Sequence, residues 1–511
     1  MSATSDTTFA VHAACIRGVE AVPVTVEVSM TGSIPGICIV GLGDTAVMDA
    51  RVRIRSALHA GGYEMPRRNI TVNLAPGDMR KTGTGFDLPI MVAILAISGQ
   101  IPKAGLDQCL FNGELALDGG VLPMRAEVPY ALLAREEGLT LVGGFSSDHV
   151  ELEGVTATFL EHVGDLRRGA GESLRAFTNH ASALTDGHSH DSLDFADVIG
   201  QEVAKRALAI AATGGLGMLM VGSPGAGKTM LARRMATILP PIGESERQEA
   251  LRIHSVMEGD VSRLLQGERP FRSPHHSIST AGLVGGGRPV HPGEISLAHG
   301  GVLFLDELAE FPSTVLQSLR QPMERGSVRI VRAEGAYTFP ARFQLLAASN
   351  PCPCGYLGDR EVACTCPPYA VERYQAKLGG PLADRIDLTL DIQRPDPKLI
   401  VEGERGLSSK DLATIVKGGR EFAAQRRRRR VDSGRGQCAG KGIEGAIAPF
   451  EFDARARCSL LEIARRVHLT GRGIVRLCRV ARTIADIEES EEVACEHVLE
   501  ASMYQGRSSH A

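Results

Sequence analysis

The residues best placed to do chemistry form one run, Gly222-Ser223-Pro224-Gly225-Ala226-Gly227-Lys228-Thr229. Its spacing is GxxxxGK[ST]; it follows the strand-like MLMV and opens MLARRMATIL, which reads as a helix. In that setting the glycines let backbone N–H groups converge on phosphate oxygens at a helix N-terminus. Lys228 would reach the β- and γ-phosphates of ATP, and Thr229 would ligate Mg²⁺. A second run, GGVLFLDE (Gly300 to Glu307), is an apolar strand that ends in two acids. A buried strand delivers such carboxylates to the edge of a sheet where ligands of open α/β sheets bind. Asp306 would hold Mg²⁺ through water, and Glu307 would act as general base on the attacking water. A chance glycine-rich turn and an ordinary buried strand compete with these readings one at a time. Both runs in this order are specific.

Two further residues complete a set. FQLLAASN (Phe343 to Asn350) is another apolar strand, and its terminal amide suits orienting the lytic water. GPLADRID carries Arg385, a candidate cationic finger for a neighbouring subunit's phosphoryl group. Read in isolation, Asn350 would be a surface amide and Arg385 a structural arginine. The succession Lys228, Asp306/Glu307, Asn350, Arg385 matches the order of Walker A, Walker B, sensor 1 and arginine finger in AAA+ ATPases. A finger acting in trans implies a ring, most often a hexamer. Close by, Cys352, Cys354, Cys364 and Cys366 form C-x-C-x9-C-x-C. Four thiolates can close a tetrahedral structural Zn²⁺ site, with unligated reduced thiols as the competing reading.

The elements around these residues divide the chain. A length of 511 residues exceeds one core and calls for two to four domains. Residues 9–160 read as mixed α and β: TVEVSM alternates like a strand, ARVRIRSALHAGG is helical with glycines at its end, and NITVNLAP is a strand closed by proline. From Gly169 the text turns small and polar, which reads as a linker over 169–192. Residues 193–395 form an α/β block, and 396–511 read as helical apart from a Gly/Arg-rich interruption at 426–445. Five consecutive arginines, Arg426 to Arg430, fit a phosphate-binding segment or a solvated loop. The net charge of −4 argues against uniform nucleic-acid coating but leaves room for a local basic channel. Aromatics at 4% with no tryptophan leave little for a base-stacking platform. LPIMVAILAI (Leu88 to Ile97) is too short to span a bilayer, and the N-terminus lacks a secretory pattern. Eleven cysteines, an odd number, fit reduced thiols of the cytoplasm better than a disulfide framework.

FRSPHHSISTAGLVGGGRPVHPGEISLAHGGVLFLDELAEF, LRQPMERGSVRIVRA and SNPCPCGYLGD closely resemble the Mg-chelatase-like AAA+ family called ComM or YifB. GLGDTAVMDARVRIRSAL near the front and GRGIVRLCRVARTIADIE near the back extend the resemblance over nearly the whole chain. It implies a hexameric DNA motor, a helicase or translocase acting on single-stranded and branched DNA and promoting branch migration during natural transformation. A chelatase-like motor that remodels a protein partner is the alternative, although no DxSxS metal-adhesion pattern is present. The resemblance also implies the fold: a Lon-protease-like (S5 domain 2-like) α+β domain over 1–168, an AAA+ P-loop α/β core over 193–395 and a helical lid over 396–511. Lon's pattern puts Gly85 at the nucleophile and Val128 at the lysine, so no activated nucleophile exists there. In related motors the stretch Arg272 to Pro292 is a pore-facing insert; its Arg272, His275, His276, Arg288 and His291 become candidate DNA contacts. Arg329 and Arg332, in the hairpin-like VRIVRAEGAYTF, alternate with apolar residues and are expected to share a face. Arg472 falls near the AAA+ sensor-2 position, with Arg476 as its competitor.

Overall fold

The computed structural model describes residues 8–32, 34–177, 193–333, 335–378, 382, 385–402, 406–432 and 447–505. Their contacts group into two compact units. One is Met1–Gly187 with Leu251–Val261 and Ile330–Tyr337; the other is His188–Ala250 with Ser262–Arg329 and Thr338–Ala511.

The first unit is built on an eight-stranded mixed sheet. Its order is Arg175–Ala176, Ala157–Phe159, Thr140–Gly143, Cys109–Phe111, Thr8–Arg17, Glu20–Thr31, Asn69–Ala75 and Gly36–Val40. The strand Glu20–Thr31 alternates buried and exposed residues through Val24, Val26 and Val28, as one covered sheet face requires. The apolar run from Leu88 is the helix Asp87–Ile97, buried on every side from Asp87 to Ala96. A helix without a polar face belongs in a core, and this one fills it. Its buried Asp87 carboxylate accepts from Arg53 Nε at 2.5 Å and Nη2 at 2.9 Å, with Arg53 supplied by the helix Thr45–Ala60. Burial still pushes Asp87 above the usual carboxylate range, because Arg53 offsets only part of the lost solvation. The expected boundary at 168 falls short of the fold. Ala170–Ser173 is helical and Arg175–Ala176 pairs with Phe159 and Thr158, while Phe177 packs its ring on Phe159 and His149. The rest of the expected linker, 178–192, lies outside the described residues.

The second unit carries a five-stranded, all-parallel sheet ordered Phe271–Arg272, Val302–Leu305, Gln344–Ser349, Met218–Gly222, Leu388–Ile392. Numbered along the chain this is 2-3-4-1-5. The first strand thus lies between the fourth and fifth, a switch point where open α/β sheets take ligands at the carboxyl ends of their strands. The strands are short apolar runs, as burial on both faces demands. The helix Glu202–Gly214 packs on this sheet and also on the C-terminal helices Ser409–Asp432 and Gly471–Ile487. One apolar cluster runs from Met218 and Phe304 through Leu208 to Leu477 and Ile484, so the C-terminal helices share a core with the sheet.

The arginine run departs from expectation. Residues 426–432 continue the helix Ser409–Asp432, while 433–446 lie outside the described residues. Arg426 is buried, donating to both oxygens of Asp486 at 2.9 and 3.2 Å. Helical periodicity turns one arginine of the five inward, where a carboxylate on the neighbouring helix meets it. Among the described residues no helix is long and apolar enough to cross a membrane.

Candidate nucleotide site

Three consecutive segments bring the expected residues to one sheet edge. The strand Met218–Gly222 ends in the loop that opens the helix Lys228–Ile238. Gly225 and Gly227 take φ of +82° and +87°, a conformation a Cβ would strain. Lys228 Nζ donates to the carbonyls of Gly222 and Ser223 at 2.7 and 3.1 Å and to Asn350 Oδ1 at 3.2 Å. Burial pulls the ammonium below its ordinary pKa, while the charges of Asp306 and Glu307 pull it back up. Asn350 sits at the end of Gln344–Ser349, the strand between the P-loop strand and the acid-bearing strand.

Thr229 Oγ1 donates to Asp306 Oδ2 at 2.7 Å. Two oxygen ligands side by side, next to a lysine, are the donor set a hard divalent cation takes together with phosphate oxygens. Thr229 and Asp306 would therefore hold Mg²⁺, which when bound supplies charge neutralisation at the β- and γ-phosphates. Glu307 follows with φ of +53°, which turns its side chain out of the strand and leaves it 55% exposed. Its carboxylate lies 3.4 Å from His276 Nδ1. His276 in turn stacks near His275, ring centres 4.0 Å apart.

Arg385 lies elsewhere. Met218 pairs with Leu388 in parallel register, and the amide of Asp387 donates to the Gly217 carbonyl. Arg385 is therefore at the N-terminal edge of the sheet and the P-loop at the C-terminal edge, about 17 Å away at roughly 3.3 Å per residue. Its guanidinium bonds to Glu324. Burial, then Arg472 and Arg320, hold its pKa below the ordinary arginine value. Arg472 is exposed at the start of the helix Gly471–Ile487. Arg476, one turn on, donates to the Ile386 carbonyl at 2.9 Å and lines a cavity of about 900 Å³ beside Gly222 and Ser223. Its bond to Ile386 holds Arg476 near the N-terminal edge of the sheet, the edge that carries Arg385. The cavity lies to one side of Lys228, Thr229 and Asp306, which do not line it.

The insert between the helix after the P-loop and the acid-bearing strand holds a short helix, Thr280–Val284, and a small pairing of Gly285–Gly286 with His291–Pro292. His275, Arg288 and His291 are exposed. Arg272 belongs to the sheet itself and makes a two-pronged pair with Glu294, both contacts 2.7 Å. That pairing is the structural alternative to a phosphate contact. Arg329 and Arg332 are exposed on the strand Ser327–Arg332, which pairs with Gly335–Pro340. The expectation of a shared face fails on parity. Side chains alternate with period two, so Arg332 lies on the face of the buried Val328 and Ile330, and Arg329 on the face of Val331. At Gly85 a Cβ would stand 2.6 Å from Asn112 Oδ1, and Val128 is buried. A side chain at Gly85 would have to displace the Asn112 amide.

Three residues went unrecognised in the sequence. The neighbouring Ser223 side chain and the amides of Glu361 and Val362, which donate to Asp359 at 2.9 and 3.0 Å, hold its carboxyl down at about 2. Arg394 pairs with Asp359 at 3.6 Å and lies over the Tyr356 ring. Gln201 Nε2 donates to the carbonyls of Ala226 and Gln393. No local spacing announces them, since each acts through a partner distant in sequence. The four cysteines do gather: Cys352 Sγ is 3.4 Å from Cys354 Sγ and 3.7 Å from Cys364 Sγ, and Cys354 and Cys364 are 3.5 Å apart. The amides of Tyr356 and Thr365 pull the Cys354 thiol down to about 5.

Sheet order, P-loop and paired acids together define a P-loop ATPase of the AAA+ class. The family profile described as "Magnesium chelatase, subunit ChlI" matches residues 194–399, and its companions "Subunit ChlI of Mg-chelatase" and "Magnesium chelatase, subunit ChlI C-terminal" match 26–142 and 406–505. The chain is 40% identical to the uncharacterized protein YifB of Salmonella typhimurium, over 97% of its own length and 96% of that protein's. It is 39% identical to YifB of Escherichia coli and 37% identical to the competence protein ComM of Haemophilus influenzae, with the same coverage. The chain belongs to the ComM/YifB family of magnesium-chelatase-like proteins.

Proposed function

We propose that this chain is a ring-forming ATP-driven DNA motor that moves branch points of recombining strands during natural transformation. The observation that carries the ATPase part is the meeting of Lys228, Thr229, Asp306 and Asn350 at one sheet edge. Lys228 attracts the β- and γ-phosphates, Thr229 and Asp306 hold Mg²⁺, Glu307 takes the proton of the attacking water and Asn350 orients that water. Arg385, out of reach of its own P-loop, serves the next subunit of a hexamer. Arg472 serves as sensor 2, with Arg476 as its competitor. The DNA part rests on full-length similarity to a competence protein, together with exposed His275, Arg288, Arg329 and Arg332.

The first unit is read as a non-proteolytic relative of Lon's protease domain, used in assembly or substrate handling. The Cys352, Cys354, Cys364 and Cys366 cluster is read as a Zn²⁺ site. Profiles named for magnesium chelatase favour one other reading, a motor that remodels a protein partner. One experiment separates the two: ATP-driven migration of a synthetic four-way junction by assembled wild-type rings, with Lys228→Ala as control. Movement that needs ATP supports the DNA motor. Rings that hydrolyse ATP but neither bind nor move the junction sink it in favour of remodelling.

A further inference from the structure

The cysteine cluster lies in the loop that follows Asn350, and that loop returns to the P-loop. Around a zinc ion with Zn–S bonds of about 2.3 Å, tetrahedral sulfurs stand about 3.8 Å apart. The observed separations of 3.4, 3.5 and 3.7 Å approach that edge, and all four sulfurs lie within 4.8 Å of one another. A disulfide would bring a pair to about 2.05 Å, and all four cysteines are free. The fourth sulfur, on Cys366, accepts from the Cys354 amide at 3.2 Å, the kind of outer hydrogen bond that fixes a thiolate in a metal site. Cys352 is fully buried and the other three partly so. The sulfur set with no further ligand needed selects zinc over hard cations.

Between the two cysteine pairs the chain packs on the phosphate loop at Gly355 and walls the space beside it at Asp359. Gly355, at φ of +88°, brings its backbone so near Pro224 that a Cβ there would lie 2.7 Å from the proline ring. Four residues on, Asp359 lines the same cavity as Ser223; its side chain is only 4% exposed, accepts from the amides of Glu361 and Val362, and lies 3.6 Å from Arg394. Leu357, Gly358, Asp359 and Arg360 then form a wall of the cavity beside Gly222 and Ser223. Without a bridge between its ends, a glycine-containing loop of this length would sample many conformations, and these contacts would be intermittent.

We propose that the four cysteines bind one Zn²⁺ and that the metal-closed loop is a clamp on the P-loop, holding Ser223 and Pro224 in the shape that receives phosphate. The inference rests on reading Gly222 to Thr229 as the nucleotide site, and it adds a metal dependence to that site. Zinc takes no part in hydrolysis; it fixes the loop that packs Gly355 on Pro224 and sets Asp359 in the wall beside Ser223. Metal and nucleotide are then linked, each binding more tightly in the presence of the other.

The test uses the full chain purified without chelators and three measurements. Elemental analysis should find about one zinc per chain, and exchange with Co²⁺ should give the visible bands of a tetrahedral tetrathiolate site. Equilibrium binding of a fluorescent ATP analogue with Mg²⁺ should weaken about tenfold or more once zinc is extracted, and recover on its return. Cys364→Ser with Cys366→Ser should lose the metal and bind nucleotide as weakly as the extracted protein. Because that variant disturbs the loop directly, Asp359→Asn supplies the second arm: it should keep its zinc and still lose nucleotide affinity. Metal well below one per chain with no cobalt bands overturns the site. A full complement of zinc whose removal leaves nucleotide affinity unchanged, or an Asp359→Asn protein that binds like wild type, overturns the clamp. Zinc-loaded wild type that binds no nucleotide overturns the reading of the nucleotide site and the coupling with it, and leaves the metal site standing.

Discussion

At the scale of single residues the site separates attraction from activation. Lys228 points its ammonium among loop carbonyls and Asn350, whereas Glu307 is turned outward beside His276. Removing the positive charge acts on phosphate binding. Removing the base acts only where water attacks. Lys228→Ala should therefore weaken binding of a fluorescent ATP analogue. Glu307→Gln should bind it like wild type and lose turnover by about 10²-fold or more, read as phosphate release. Normal turnover in Glu307→Gln would remove Glu307 from the role of base. Lys228, Thr229 and Asp306 were legible in the sequence because a loop and a strand end fix them locally. Asp359 and Gln201 were not, because their partners Ser223, Ala226 and Gln393 come to them only through folding.

At the scale of elements, periodicity decides which residue of a run matters. Five arginines in a row read alike in the sequence, yet the helix Ser409–Asp432 buries Arg426 against Asp486 and leaves Arg428 exposed. Arg482 also pairs with Asp486, at 3.1 Å, so losing Arg426 leaves that carboxylate one partner and removes a buried charge-assisted bond of about 1.5–3 kcal/mol, while an exposed charge costs about 0.5 kcal/mol or less. Denaturant unfolding should thus show Arg426→Ala strongly destabilised and Arg428→Ala near wild type. Equal midpoints would mean that the pair contributes nothing net. The hairpin gives the same lesson with period two. Val328 and Ile330 face one way and Arg329 the other, so Arg329 and Arg332 cannot grip one phosphate track from one face. If a single face meets DNA, Arg329→Ala and Arg332→Ala should differ. One should cut DNA-stimulated turnover and make the salt slope on duplex shallower by about one unit, and the other should leave both nearly unchanged. Equal losses in both variants would argue that DNA passes across both faces. TVEVSM and NITVNLAP were legible as strands and ARVRIRSALHAGG as a helix because their periods declare them, whereas the run from Leu88, apolar on every side, declares none. The end of the first unit was not, because Phe177 is held by Phe159 and His149 rather than by any pattern of its own.

At the scale of the whole molecule, the proposed ring makes the active site one that two subunits share. The sheet sets the P-loop and Arg385 at opposite edges, and Arg385 is engaged with Glu324 of its own chain. On the proposed reading, an arginine so placed assists hydrolysis at a neighbour's nucleotide, through a head-to-tail interface that closes into a ring. Two inactive proteins then become complementary. An Arg385→Ala subunit keeps a working P-loop but offers no finger; a Lys228→Ala subunit offers a finger but binds nucleotide poorly. In an equal random mixture about a quarter of the head-to-tail interfaces would join an intact P-loop to an intact finger. ATPase activity should therefore rise above that of either variant alone, toward about a quarter of wild type if interfaces act independently and lower if the ring must fire in sequence. The measurement is phosphate release across mixing ratios, with mixed rings verified by differently tagged subunits. Activity should peak near equal proportions, because both kinds of subunit are needed at each working interface. Verified mixed rings that stay at the level of the single variants would assign Arg385 to its bond with Glu324, a structural role within one subunit.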